Sequence, residues 1–193
     1  MKTPHRVILA SSSAYRRQLL ARLGLTFETE SPNVDESAQP GETAAELARR
    51  LAELKARTVA SATPGAVVIG SDQVAECHGR LLGKPGSEAR ALEQLRGMQG
   101  AEVVFQTAVA VVHATECHSA VVPTRVRMRQ LTDDQLRRYL HREAPFDCAG
   151  AFKSEALGIA LLDSVRSEDP TALVGLPLIA TIRLLEQCRV RVL

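Results

Sequence analysis

The stretch "VILASSSAYRR", residues 7–17, decides how the rest of the chain reads. Four apolar residues, 7–10, have the composition of a short, fully buried strand. Three serines follow. From Ser13 the positions Tyr15, Leu19, Leu20 and Leu23 fall at helical spacing, and Gly24 closes the run as a C-terminal cap. A strand that feeds a helix through a tight loop is the start of an α/β unit. Such a loop aims backbone N–H groups at whatever lies above it, and the helix dipole adds partial positive charge. No glycine supplies the usual phosphate cradle here. Serine hydroxyls and the guanidiniums of Arg16 and Arg17 stand in its place, and planar cationic forks suit phosphate oxygens. Neighbouring helical positions diverge by about 100°, so one arginine serves, and Arg16 lies nearer the loop. Taken locally, a capping serine before a solvated basic turn accounts for the same residues.

Working outward, "TFETE" alternates like a second strand, and "SPNVDESAQPGE" is a polar loop with two prolines. "TAAELARRLAELKARTVAS" is a helix with a Leu47, Leu51, Leu54 stripe and a Thr43–Glu46 capping box. "AVVIGSDQV" is a second buried strand that ends in polar residues, "HGRLLGKPG" is turn-rich, and Ser87 caps the helix "SEARALEQLRGM". "EVVFQTAVAVVHA" and "SAVVPTRVRMRQL" read as an antiparallel pair, with Pro123 at an edge or bulge. Thr132 caps the next helix, "DCAGAFKSE" is a loop, and "IALLDSVRS" a strand. "DPTALVGLPLIATIRLLEQ" reads as the last helix, opened by Asp169 and Pro170, and "RVRVL" as a closing strand. Helices and strands alternate, then strands pair directly, so the class is mixed α/β. No linker or repeat interrupts the chain, which reads as one domain over residues 1–193.

Bulk properties exclude several functions. With 45% apolar and 24% charged residues the composition is that of an ordinary globular protein. A net charge of +2 argues against a nucleic-acid partner, and 3% aromatics with no Trp leaves little for stacking single strands. Cys77, Cys117, Cys148 and Cys188 have neither zinc nor disulfide-framework spacing. His5, His78, His113, His118 and His141 form no metal spacing or triad. Residues 1–10 do not read as a signal peptide, and no apolar run reaches membrane-spanning length, so a cytoplasmic protein is expected.

The chemistry-bearing residues are scattered. Asp72 ends an apolar strand in "GSDQV", where α/β proteins place ligands; it can hold a divalent cation or take a proton from water. Asp35 and Glu36 lie in the loop and can complete a metal site with Asp72. Lys55 sits late in its helix, where a lysine ordinarily answers the dipole. Lys84 stands in a turn, and Asp147, Lys153 and Glu155 surround an Ala-Gly-Ala turn that implies close backbone approach or tight packing. Each is weak alone. Together they supply donors and cations for phosphates, acids for a metal and an acid for water, the equipment of a nucleotide phosphohydrolase.

The combination "LASSSAYRRQLL", "VDES", "LAELKA", "GSDQV", "GKP", "CAGAFKSE" and "DPTALVGLPL" resembles the Maf-like nucleotide pyrophosphatases over nearly the whole chain. That resemblance implies a mixed-sheet, elongated two-lobed fold with a central cleft, similar to the inosine-triphosphate pyrophosphatases. It implies cleavage of a nucleoside triphosphate between the α and β phosphates with a divalent cation, Mg²⁺, Mn²⁺ or Co²⁺. By position it makes Asp72 the proton acceptor, Ser11 and Arg16 the phosphate grip, Glu36 an acid for metal or water, and Lys55 and Lys84 phosphate contacts. Metal ligation falls to Glu36 and Asp72. Tyr15, Gln73, Lys153 and Glu155 become substrate contacts. "SDQV" and "FKSE" resemble the branch that prefers 7-methyl-GTP, whose cationic base an aromatic face attracts, although Tyr15 stands where Trp is frequent and Asp147 resembles the other branch. A dTTP or UTP pyrophosphatase of the same family, or a non-catalytic regulator of cell division, stays open. A homodimer is expected on frequency alone.

Overall fold

The computed structural model describes residues 6–193; residues 1–5, with His5 and the start of the segment read as lacking a leader, lie outside the described residues. The chain divides into two compact units. The first takes residues up to Gln73, Thr107–Val122 and Asp169–Leu193, and the second Val74–Gln106 and Pro123–Glu168.

In the first unit, strand β1 (Val7–Ala10) is buried throughout. It pairs in parallel with β2 (Glu28–Glu30), Ile8 opposite Glu28. On its other side it pairs in parallel with β3 (Val67–Cys77), from Val7 opposite Val67 to Ala10 opposite Gly70. Helix α1 (Ala14–Ala21) connects β1 to β2, with Ser13 accepting from the Arg16 N–H as its cap. Helix α2 (Ala44–Ala62) connects β2 to β3, and the Thr43–Glu46 capping box forms. Buried positions on α2 are Ala44, Leu47, Ala48, Leu51, Ala52, Lys55, Ala56 and Val59, a continuous three-and-four stripe. Leu54 is only half-buried, so the working face joins Leu47 and Leu51 to the alanines at 44, 48, 52 and 56 rather than to Leu54.

Small residues let α2 approach β3 closely. A Cβ on Gly70 would stand 2.2 Å from the Ala52 carbonyl oxygen and 2.8 Å from the Ala56 backbone nitrogen. Such contacts cannot be relieved by a side-chain rotation, so Gly70 sets the distance between helix and strand. The core includes Leu9, Leu20, Ile69, Val109, Val111, Leu176 and Leu185. Burying each of these larger side chains contributes roughly 1.5–3 kcal/mol over leaving it exposed.

In the second unit, β3 continues to Cys77 and turns back through His78 and Gly79, both at positive φ, into β4 (Arg80–Leu82), with Ala75 opposite Leu82. Helices α3 (Glu88–Gly97) and α4 (Asp133–Glu143) pack on each other. Strands β5 (Glu102–His113) and β6 (Glu116–Met128) form the expected hairpin, and its turn end, Thr107–Val122, belongs to the first unit. β7 (Leu162–Ser167) pairs antiparallel with β6 from Thr124 opposite Ser167, so Pro123 falls just before that pairing begins. The Ala-Gly-Ala turn is a packing feature: Gly150, at φ 67°, is buried against Leu82 and Met98.

Four expectations need correction. β3 does not stop at the polar residues, because Ser71, Asp72 and Gln73 find partners on β5 and α2: Ala108 O, Lys55 and Thr107. The turn-rich segment contains β4. The last helix, α5, spans only Leu178–Gln187: Gly175 at φ 113° and Pro177 interrupt any helix running on from Asp169. Residues 189–193 form no strand. Among the described residues no helix is long and apolar enough to cross a membrane.

Candidate active site

Parallel pairing with β1 ends at Gly70, so Asp72 sits two residues past that edge although it lies mid-strand in β3. It is buried. An isolated carboxylate there would be costly, and α2 supplies the counter-charge. Lys55 Nζ donates to Asp72 Oδ1 at 2.6 Å and stands 2.6 Å from Glu36 Oε1. Glu36 reaches in from the loop between β2 and α2 and stays exposed on its other side. One ammonium is therefore clamped between two carboxylates. Lys55 is not a solvated helix-end lysine, and its side chain is only 8% exposed.

Arg16 joins the same electrostatic group from α1. Burial lowers its pKa from the ordinary arginine value, and the charges of Asp72 and Glu36 push back. Its Nε donates to the Gly175 carbonyl at 2.9 Å, which fixes the plane of the guanidinium. Its Nη groups have no partner among the described residues. The exposed Arg17 points elsewhere, as the helical spacing predicts. Ser11 is buried just past the end of β1, where its hydroxyl accepts from the Ser13 N–H at 3.1 Å. Tyr15 lies half-buried in the first turn of α1.

Segment 169–177 is the part of the site that local reading missed. Asp169 is buried and caps α5 across ten residues, accepting from the Ile179 N–H at 2.7 Å. Its other oxygen accepts from the Thr171 N–H. Thr171 Oγ1 lies 2.7 Å from Asp169 Oδ1 and 2.8 Å from the Leu176 carbonyl, and accepts from the Leu178 N–H. So braced, the segment turns carbonyls toward β3 and β5. Gly175 O accepts from Arg16 and lies 2.9 Å from Ser71 Oγ. Ala172 O accepts from Thr107 Oγ1 and, with Leu173 O, from the Gln73 amide. Gln73 Nε2 also meets Thr107 Oγ1 at 2.9 Å. The signal for Ser71 and Thr107 was present as hydroxyls inside otherwise apolar strands.

Among the expected residues, the structure brings Arg16, Glu36, Lys55 and Asp72 into one cluster, with Gln73 next along β3. Lys84, Lys153 and Glu155 belong to the second unit. Lys84 is exposed there. Lys153 Nζ donates to the Glu143 carbonyl at 2.7 Å, at the end of α4, and its backbone N–H donates to Tyr139 Oη. Glu155 is exposed and accepts from the neighbouring Ser154 hydroxyl. Burial pushes the Cys148 thiol up to about 12, with Asp147 adding to the effect.

Among the described residues no three His, Cys, Asp or Glu side chains form a metal cage. The two carboxylates on Lys55 are hard oxygen donors aimed at one cationic point. That set fits Mg²⁺ or Mn²⁺, which takes one or two carboxylates and completes its shell with phosphate oxygens and water. Cys77, Cys117, Cys148 and Cys188 are free thiols.

A family profile described as Maf-like protein matches residues 6–188. The chain is 54% identical over 190 residues to a 7-methyl-GTP pyrophosphatase of Albidiferax ferrireducens, covering 97% of this chain and 96% of that protein. It is 56% identical over 184 residues to a 7-methyl-GTP pyrophosphatase of Aromatoleum aromaticum, covering 93% and 94%. A HAM1 protein from Coxiella burnetii gives a looser structural likeness, with a TM-score of 0.47 and 18% identity over 64% of this chain and 73% of that one.

Proposed function

The chain belongs to the Maf-like protein family, and from that premise we propose that it hydrolyses 7-methyl-GTP between the α and β phosphates, releasing 7-methyl-GMP and pyrophosphate. The observation that carries this reading is the buried Asp72–Lys55 pair, met by the exposed Glu36 and set beside Arg16, in a chain so similar to proteins named for that reaction.

Water attacks the α phosphorus, and the bond from that phosphorus to the bridging oxygen breaks as pyrophosphate leaves. Asp72 is engaged through Oδ1, which leaves Oδ2 to take the proton from water. Arg16, held through Nε, presents its Nη groups to phosphate oxygens, where a fixed fork costs little reorganisation. Ser11, just past β1, is a further donor to the phosphates. Glu36 and Asp72 would hold a divalent cation together with phosphate oxygens, and that cation would offset the charge developing on them. Tyr15 offers an aromatic face to the cationic methylated base. Gln73 acts on base choice through segment 169–177, which its amide secures. Lys84, Lys153 and Glu155 are proposed as phosphate and base contacts on the family resemblance alone.

The test is to incubate the protein with 7-methyl-GTP and Mg²⁺ or Mn²⁺ and identify the products. The expected outcome is 7-methyl-GMP with pyrophosphate. No monophosphate above an Asp72→Asn control overturns the reading.

A further inference from the structure

We infer that Lys55 is an internal counter-ion occupying the divalent-cation position between Glu36 and Asp72, so that the protein binds its metal weakly until a nucleotide is present. The inference rests on the functional reading above only in taking that cation as the one the reaction uses.

Three observations carry it. First, Nζ is 2.6 Å from both Glu36 Oε1 and Asp72 Oδ1. A cation ligated by these same two oxygens must displace it. Second, Lys55 cannot simply swing into water. It sits on the buried stripe of α2, one turn from Leu51 and Val59. Third, Gly70 holds α2 against β3, which keeps the ammonium over Asp72. With Arg16 included, the charges of Asp72 and Glu36 already face two cations without metal, and Arg50, paired with Glu42, adds positive charge toward Asp72. Adding a divalent cation alone therefore puts like charges together beside the buried Lys55 and Asp72, where screening is weakest. A triphosphate removes that difficulty, because its oxygens give the displaced ammonium a new partner and complete the shell of the metal. Metal and nucleotide then favour each other's binding by the same factor.

The experiment titrates metal-depleted protein with Mn²⁺ alone, without nucleotide, and follows free Mn²⁺ by electron paramagnetic resonance. Lys55→Met is expected to bind Mn²⁺ about tenfold more tightly than the wild type or better, since two carboxylates lose their internal cation. Lys55→Arg keeps the charge and is expected to stay as weak as the wild type. Adding Asp72→Asn to Lys55→Met should cancel the gain. Equal or weaker binding by Lys55→Met, or a gain that survives Asp72→Asn, overturns the inference. If Lys55→Met fails to fold without metal, Mn²⁺ decides: folding restored by Mn²⁺ supports the counter-ion role, and unfolding that Mn²⁺ does not relieve overturns it. The two readings fail separately. Hydrolysis of 7-methyl-GTP with no Mn²⁺ gain in Lys55→Met removes this inference alone. A Mn²⁺ gain in a protein that hydrolyses no 7-methyl-GTP removes the functional reading alone.

Discussion

Lys55 and Lys153 are both lysines that the family resemblance makes substrate contacts, and the fold gives them different surroundings. Lys153 donates to the Glu143 carbonyl, where a cation answers the last turn of a helix and the side chain is only partly buried. Lys55 is buried and holds two carboxylates, the buried Asp72 and the exposed Glu36. A charge that retains solvent adjusts stability by small amounts. A buried ammonium shared by two carboxylates ties their positions together, and removing it leaves the buried Asp72 without its counter-charge. The difference is set by what each is buried with.

Asp72→Asn should break the comparison on the Lys55 side most severely. It removes the proton acceptor, and turnover of 7-methyl-GTP should fall about 10²–10⁴-fold. Glu36 still neutralises Lys55, so the melting curve should stay cooperative. Steady-state rates alongside thermal melts check both parts. Next in size is Gly70→Ala. The new methyl group meets α2 backbone, so about 1–3 kcal/mol of stability should go. Moving α2 also parts Lys55 from Asp72, and activity should fall well beyond what the unfolded fraction explains. Urea titration beside turnover per folded molecule separates the two effects.

Arg16→Lys tests the grip. A lysine cannot hold Gly175 O and present a planar fork together. KM for 7-methyl-GTP should rise about tenfold, one lost charged contact of roughly 1.5 kcal/mol, with a smaller change in kcat. The smallest effect is expected from Lys153→Met, a loss of about 1 kcal/mol in stability from the end of α4. Measuring KM on that variant sharpens the comparison directly. A raised KM would count Lys153 among the substrate contacts, and an unchanged one leaves it a helix-end residue.

Much of this was legible in the chain itself. The strand-to-helix turn at 7–17, the Thr43–Glu46 box and the choice of Arg16 over Arg17 follow from spacing and local chemistry. The burial of Lys55 was legible too, since position 55 falls on the stripe 44, 47, 48, 51, 52, 55, 56, 59. Leu54 pointed to a neighbouring face, while the alanines beside Leu47 and Leu51 made the stripe that carries Lys55. Segment 169–177 misled for a different reason. Asp169 before Pro170 is a good helix opening, and Asp169 does cap a helix, but the one that starts at Leu178. Its partner is fixed by a left-handed glycine and a threonine bridge within the segment, which helical spacing does not encode.

By itself the sequence determined the mixed α/β class and which residues are equipped for phosphate, metal and proton chemistry. Periodicity, caps and side-chain chemistry are local properties that need no partner. Tertiary structure alone decided that Lys55 stands between Glu36 and Asp72, and that Arg16 is oriented by a carbonyl 159 residues away. Those relations depend on how closely α2 can approach β3 at Gly70 and on which carbonyls a braced loop turns inward. Distances between elements are fixed by packing, and packing is not written in any one segment.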